Sequence, residues 1–101
     1  MDNQSERTIE LPADFMWVKI KPVRAFLSNQ SLSTKMGIKS NGGILNESHE
    51  FRVLFADNKN IIQADTIIKM DGEDYKNWDS DDSYVADCII KSLPDVEIIK
   101  E

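Results

Sequence analysis

The chain has 101 residues, of which 41% are hydrophobic and 30% are charged, and its formal net charge is −6. This length suits one domain with a single modest core, and the composition excludes a wholly disordered chain. The negative charge argues against nucleic-acid binding, which needs a basic face for phosphate contacts.

Residues 1–10 are polar, show no periodicity and lack the pattern of a signal peptide, so we expect a disordered tail. No apolar run approaches the ~20 residues that cross a bilayer, so no membrane partner is expected. The single cysteine, Cys88, cannot form an internal disulfide and is interpreted as a buried, inert thiol. These features favour a cytoplasmic protein.

The first predicted strand covers residues 15–21. Met16, Val18 and Ile20 alternate with Trp17, Lys19 and Lys21 there, and a period of two is typical of a half-buried strand. Residues 23–27 are expected to continue it after Pro22.

Residues 28–50 are rich in Ser, Asn, Gly and Lys and are predicted to form a long flexible loop. Loops of this length are uncommon in compact domains unless they are functional or disordered. Apolar residues are scattered through the segment, and they either dock on the core or wait for a partner.

The second half predicts a strand at 51–55, a turn at 57–60, short β-branched strands at 61–62 and 66–68, and a turn at Asp71-Gly72. Residues 84–93 fit either a helix or a strand, and residues 96–99 close the chain as a last strand. Short strands with frequent turns favour a mainly β fold, a small antiparallel β-barrel formed by residues 11–101.

The sequence contains no recognisable catalytic, metal-binding or cofactor-binding motif, so we expect neither an enzyme nor a bound cofactor. His49 is the only histidine and is interpreted as an ordinary surface residue. The acidic run at 79–82 lacks the spacing of a calcium loop and is interpreted as a solvated turn.

The order of these segments resembles the GroES-type co-chaperonin family, including phage-encoded relatives. Residues 11–21 are similar to the opening strand of that family and residues 53–58 to the strand after its mobile loop. Residues 64–68 and 86–99 are similar to its later strands. Gly42, Gly43, Ile44 and Leu45 resemble the mobile-loop motif, a Gly-Gly followed by apolar residues. Because position 46 is Asn46, Met36 and Ile38 form a second candidate docking pair.

The resemblance implies a homo-heptameric ring that caps a chaperonin through these loop residues and assists protein folding. ATP is bound by the chaperonin and not by this chain. Seven weak loop contacts bind tightly together through effective concentration. Neighbouring subunits pair by their edge strands, for which the candidate interface residues are Phe15, Trp17, Val96, Ile98 and Ile99.

Two other functions fit the sequence. A phage head–tail neck or tail connector would also form rings from small β domains. A small inhibitor of a host protein would use the acidic run at 79–82 as its contact surface.

Overall fold

The computed structural model describes residues 10–24, 32–78 and 81–99. Four strands form one antiparallel sheet in the order β1-β2-β3-β4, and two helices follow. The elements are β1 (Met16–Val23), β2 (Ser33–Ile44), β3 (Ser48–Ala56), β4 (Ile62–Asp71), α1 (Gly72–Lys76) and α2 (Asp82–Ile90). The mainly β fold class is confirmed.

The sheet does not close into the predicted barrel. Each strand pairs with the next along the chain, which leaves β1 and β4 at opposite edges. Closure is not needed to bury the apolar face, because α2 packs across it and provides the second layer of the domain.

Most of the predicted loop is a strand. Residues 33–44 form β2, which pairs with β1 on one side and β3 on the other. The alternation within β2 explains this, since Met36 and Ile38 are buried on the inner face while Lys39 is exposed. The predicted tail, apart from Glu10, and residues 28–31 of the predicted loop lie outside the described residues.

The ambiguous segment at 84–93 contains most of helix α2, from Tyr84 to Ile90. The Asp81 side chain caps the helix by accepting a hydrogen bond of 3.0 Å from the Ser83 N–H. Val85 and Ile89, four residues apart, point into the core from the same helix face. Cys88 also lies there and is 7% exposed, which confirms that this thiol is buried.

The C-terminal segment returns to the free side of β1. Lys21 N–H donates to the Glu97 carbonyl, and Ile99 N–H donates to the Lys19 carbonyl, both at 2.9 Å. Ile20 and Ile98 form the bridge between these two hydrogen bonds. The segment predicted as a last strand therefore pairs with β1 of its own chain.

The predicted turn at 57–60 is confirmed and is built on one buried carboxylate. Asp57, 1% exposed, accepts hydrogen bonds from the N–H groups of Lys59 and Ile61 and from the Gln63 amide. A buried carboxylate needs such partners to offset its desolvation. This turn lies at the opposite end of β3 from the β2–β3 hairpin.

Candidate functional site

The turn of the β2–β3 hairpin carries the most exposed large apolar side chain that the structure describes. Leu45 is 85% exposed and its neighbour Ile44 is 57% exposed. We call residues 42–47 the hairpin tip. Its apolar side chains remain mostly exposed, although those of the preceding β2 residues Met36 and Ile38 are buried.

Two glycines shape the backbone that leads into the hairpin tip. Gly42 has a φ of +96°, a conformation that residues with a side chain rarely adopt. A Cβ at Gly43 would lie 2.4 Å from the Ser48 carbonyl oxygen and 2.7 Å from the His49 Cα. The pairing of β2 and β3 also shifts register between Ser40 and Gly43. Glycine is therefore required at 43 by close backbone approach and favoured at 42 by its conformation.

Hydrogen bonds hold the hairpin tip in one shape. Glu47 N–H donates to the Ile44 carbonyl at 3.0 Å, and Asn46 takes a left-handed φ of 64°. The Asn46 N–H donates to the Tyr75 hydroxyl of α1 at 3.1 Å. The hairpin tip is thus fastened to the first helix.

An aromatic cluster lies beneath the hairpin tip. It consists of His49, Phe51, Tyr75 and Trp78. The Trp78 ring lies 5.2 Å from the His49 ring and 5.7 Å from the Phe51 ring, in the range of favourable aromatic pairs. His49 Nε2 is 2.6 Å from the Ser40 hydroxyl. These contacts give His49 a packing role that the sequence did not indicate.

A shallow cavity of about 250 Å³ lies beside the exposed pair. Its walls are formed by Gly43, Ile44, Leu45, Ser48, His49 and Tyr75. The arrangement, an exposed apolar pair next to a small depression on a braced hairpin, suits contact with another protein more than bond chemistry. Among residues 10–24, 32–78 and 81–99, no group of three or more His, Cys, Asp or Glu side chains is placed to hold a metal ion.

No family model, curated protein or solved structure matches this chain.

The structure separates the two candidate docking pairs. Gly42, Gly43, Ile44 and Leu45 come together in the hairpin tip. Met36 and Ile38, 0% and 4% exposed, lie in the core between the sheet and α2. That pair was predicted to dock on a partner, and burial makes it unavailable for this.

The predicted subunit-interface residues make contacts within their own chain. Phe15 is 8% exposed, and its ring lies 5.7 Å from the Lys39 amine and 5.9 Å from the centre of the Arg52 guanidinium group. Trp17 packs on β2. Val96 and Ile98 are partly buried against the core, and Ile99 keeps 40% of its surface exposed while its N–H bonds to β1.

Tyr75 and Trp78 were not predicted to be neighbours of the hairpin tip. Their spacing of three residues after the Asp71-Gly72 turn was the available signal, because residues three apart share one face of a helical turn. Gly72 begins α1 with a φ of +60° instead of closing a hairpin.

In the part of the chain that is described, no helix has the length and apolarity to traverse a membrane.

Proposed function

We propose that this chain is a protein-binding module, not an enzyme, and that it docks on another cytoplasmic protein through the hairpin tip. The observation that carries the proposal is the 85% exposure of Leu45 beside Ile44 on a hairpin that is braced by α1. A rigid site loses less conformational entropy on binding than a loop that must first become ordered. An exposed apolar side chain on such a site is suited to anchor a contact.

The charges near the hairpin tip indicate the kind of partner surface that fits. Glu47 is exposed within the hairpin tip, Glu50 is exposed on the following strand β3, and the whole chain carries a net charge of −6. A groove with an apolar floor and a basic rim would accept Ile44 and Leu45 and attract these carboxylates.

In the form implied by the sequence resemblance, the partner is a chaperonin and the chain is one subunit of a heptameric cap. The exposed Gly42-Gly43-Ile44-Leu45 run supports this form. The pairing of residues 33–44 into a sheet and the failure of that sheet to close do not add support, because the resemblance implies a free loop and a closed barrel. Docking through the hairpin tip does not depend on this identification.

Site-specific photo-crosslinking in the cell that encodes the chain tests the proposal. A photoreactive residue at position 45 is compared with one at position 58, where the exposed Asn58 lies in the turn at the other end of β3. We expect one partner to crosslink from position 45 only. Equal crosslinking from both positions would refute docking through the hairpin tip.

The captured protein is then purified and its affinity measured directly. Leu45→Asp should weaken the affinity at least about tenfold, because a carboxylate would enter an apolar contact, while Asn58→Asp, which adds the same charge, should leave it unchanged. A purified chaperonin ring with and without ATP is measured in parallel. Absence of nucleotide-dependent binding to that ring would exclude the co-chaperonin form.

A further inference from the structure

β4 is an edge strand that pairs with no further strand among the described residues. The other edge, β1, pairs with the C-terminal segment, so the two edges of the sheet differ. Ile67 lies near the middle of β4 and is 48% exposed. An unpaired edge presents a row of N–H and C=O groups to any strand that approaches it.

In each strand, alternate residues point their backbone N–H and C=O groups to opposite sides. The side to which β1 residues point therefore fixes, strand by strand, which β4 residues point to the open edge. Lys19 and Lys21 bond to the C-terminal segment. Backbone groups of successive residues point to alternate sides of a strand, so Met16 and Val18 face β2. Their partners on β2, Ile38 and Met36, face β1 in return. The alternate β2 residues Lys35, Gly37 and Lys39 therefore face β3.

The same alternation continues across β3. The β2 residues that face β3 pair with Arg52, Leu54 and Ala56, so Phe51, Val53 and Phe55 face β4. Asp57 follows Phe55 at an interval of two, so its backbone groups should point to the same side. Its N–H donates to the Ile61 carbonyl just before β4, which supports this assignment.

The residues of β4 that face its open edge follow directly. Phe51, Val53 and Phe55 pair with Ile68, Thr66 and Ala64. The backbone groups of the alternate residues, Asp65, Ile67 and Lys69, therefore point away from β3, and their side chains share the outer face of the sheet. An acidic, an apolar and a basic residue thus follow one another at intervals of two along the open edge.

We propose that this edge pairs with the same edge of a second copy of the chain, antiparallel and centred on Ile67. Each Ile67 then lies opposite its counterpart, and each Asp65 lies opposite Lys69 of the other copy. Both backbone hydrogen bonds of the Ile67 pair form, and two opposite-charge pairs flank it. Such a two-fold contact closes at two copies and joins the sheets into one.

Neighbouring registers lack this complementarity. Moving the centre to Asp65 or Lys69 places like charges opposite each other at the centre. Centring between Ile67 and Lys69 places Asp65 opposite Asp71 of the other copy. Centring between Asp65 and Ile67 leaves Asp65 opposite an isoleucine. Among these five registers, only the one centred on Ile67 pairs opposite charges on both sides, and we therefore assign the contact to it.

The pairing of Asp65 with Arg52 in its own chain does not prevent Asp65 from accepting a further hydrogen bond. It donates to both carboxylate oxygens of Asp65, at 3.0 Å and 2.5 Å, from the neighbouring strand β3. A carboxylate has about four acceptor positions, so Asp65 can accept a further bond from Lys69 of the second copy. Within its own chain the Lys69 amine lies 3.9 Å from an Asp71 carboxylate oxygen, and Glu50 is its cross-strand partner on β3.

A charge-swap experiment on the full chain tests the proposal by sedimentation equilibrium and native mass spectrometry. In Lys69→Glu homodimers both flanking pairs become acidic, and in Asp65→Lys homodimers both become basic. Each variant alone should raise the dimer dissociation constant by roughly tenfold or more. Mixing the two variants restores an opposite-charge pair on each side, so a heterodimer should form at about wild-type strength.

Lys59→Glu and Asp95→Lys make the same charge changes at exposed positions outside β4 and should leave the dimer intact. Asp65→Lys loses the ion pair with Arg52 and could fail to fold for that reason. In that case Lys69→Glu alone still tests the proposal, because its homodimer should dissociate more readily than the wild-type dimer. A wild-type chain that stays monomeric up to its solubility limit would overturn the proposal. So would a dimer that Lys69→Glu leaves unchanged, because another surface or another register would then hold it.

Discussion

The indole ring of Trp17 covers Gly37 on the outer face of the sheet. The two residues are cross-strand partners on β1 and β2. A Cβ at Gly37 would lie 2.8 Å from three carbon atoms of that ring, closer than side chains tolerate. The Trp17 Nε1–H donates to the Pro12 carbonyl at 2.9 Å, which fixes the ring in this position. Glycine in a strand thus provides the space for an aromatic neighbour.

Gly37→Ala is therefore expected to destabilise the fold, although alanine normally favours a strand over glycine. The new methyl group must displace the indole ring, at a cost of about 1–3 kcal/mol. Urea unfolding measures this cost, and tryptophan fluorescence reports the movement of the ring. In a Trp17→Ala background the same substitution should be neutral or stabilising. Equal costs in the two backgrounds would show that the ring is not the cause.

Met36 and Leu45 should respond oppositely to substitution. Met36 is fully buried beneath α2, so Met36→Ala is expected to cost about 2–5 kcal/mol of unfolding free energy. Leu45 is 85% exposed, so Leu45→Ala should change stability by no more than about 0.5 kcal/mol. Urea titrations of both variants check this. A large loss for Leu45→Ala would mean that the hairpin tip folds against the chain itself.

The regular alternation of β1 was enough to predict that strand, and the Asp57 turn was predicted from its residue types. β2 was missed because its Ser, Asn, Gly and Lys content is typical of loops. Its strand conformation depends on partners distant in sequence, since Gly37 is favoured there only by Trp17. Gly42, Gly43, Ile44 and Leu45 were predicted as partner-binding residues of a flexible loop, and the hairpin that carries them was not predicted. The brace from Tyr75 depends on α1, whose first residues were interpreted only as a turn at Asp71-Gly72.

A substitution that removes one oxygen atom tests the contact between Tyr75 and the hairpin tip. Tyr75→Phe removes the hydroxyl that accepts the Asn46 N–H but keeps the ring against Trp78. The expected loss of global stability is about 0.5–1.5 kcal/mol, as for a typical hydrogen bond. The sharper measurement is hydrogen exchange, in which the Asn46 amide should exchange faster while amides in the β3–β4 ladder do not. Unchanged protection of Asn46 would mean that the hairpin tip does not need this brace.

The cap of α2 makes stability depend on pH on the acid side. Hydrogen bonds from the Ser83 hydroxyl and N–H hold the pKa of the Asp81 carboxyl below its ordinary value. A group whose pKa is lower in the folded state adds stability above its unfolded pKa. This stability is lost as the pH falls through the folded pKa, because the unfolded chain takes up the proton more readily.

Asp81→Asn separates the charge from the cap. Asparagine caps helices about as well as aspartate but does not titrate, so the helix should persist near neutral pH. Urea unfolding between about pH 7 and pH 3 should give a shallower loss of stability for this variant than for the wild type. Asp82→Asn removes the same charge one residue later and controls for net charge. Asp14 and Asp65 also contribute acid-side loss, because hydrogen bonds from Lys39 and Arg52 lower their pKa values, so a reduced slope should remain. Parallel losses in Asp81→Asn and wild type would show that the cap does not depend on the charge of Asp81.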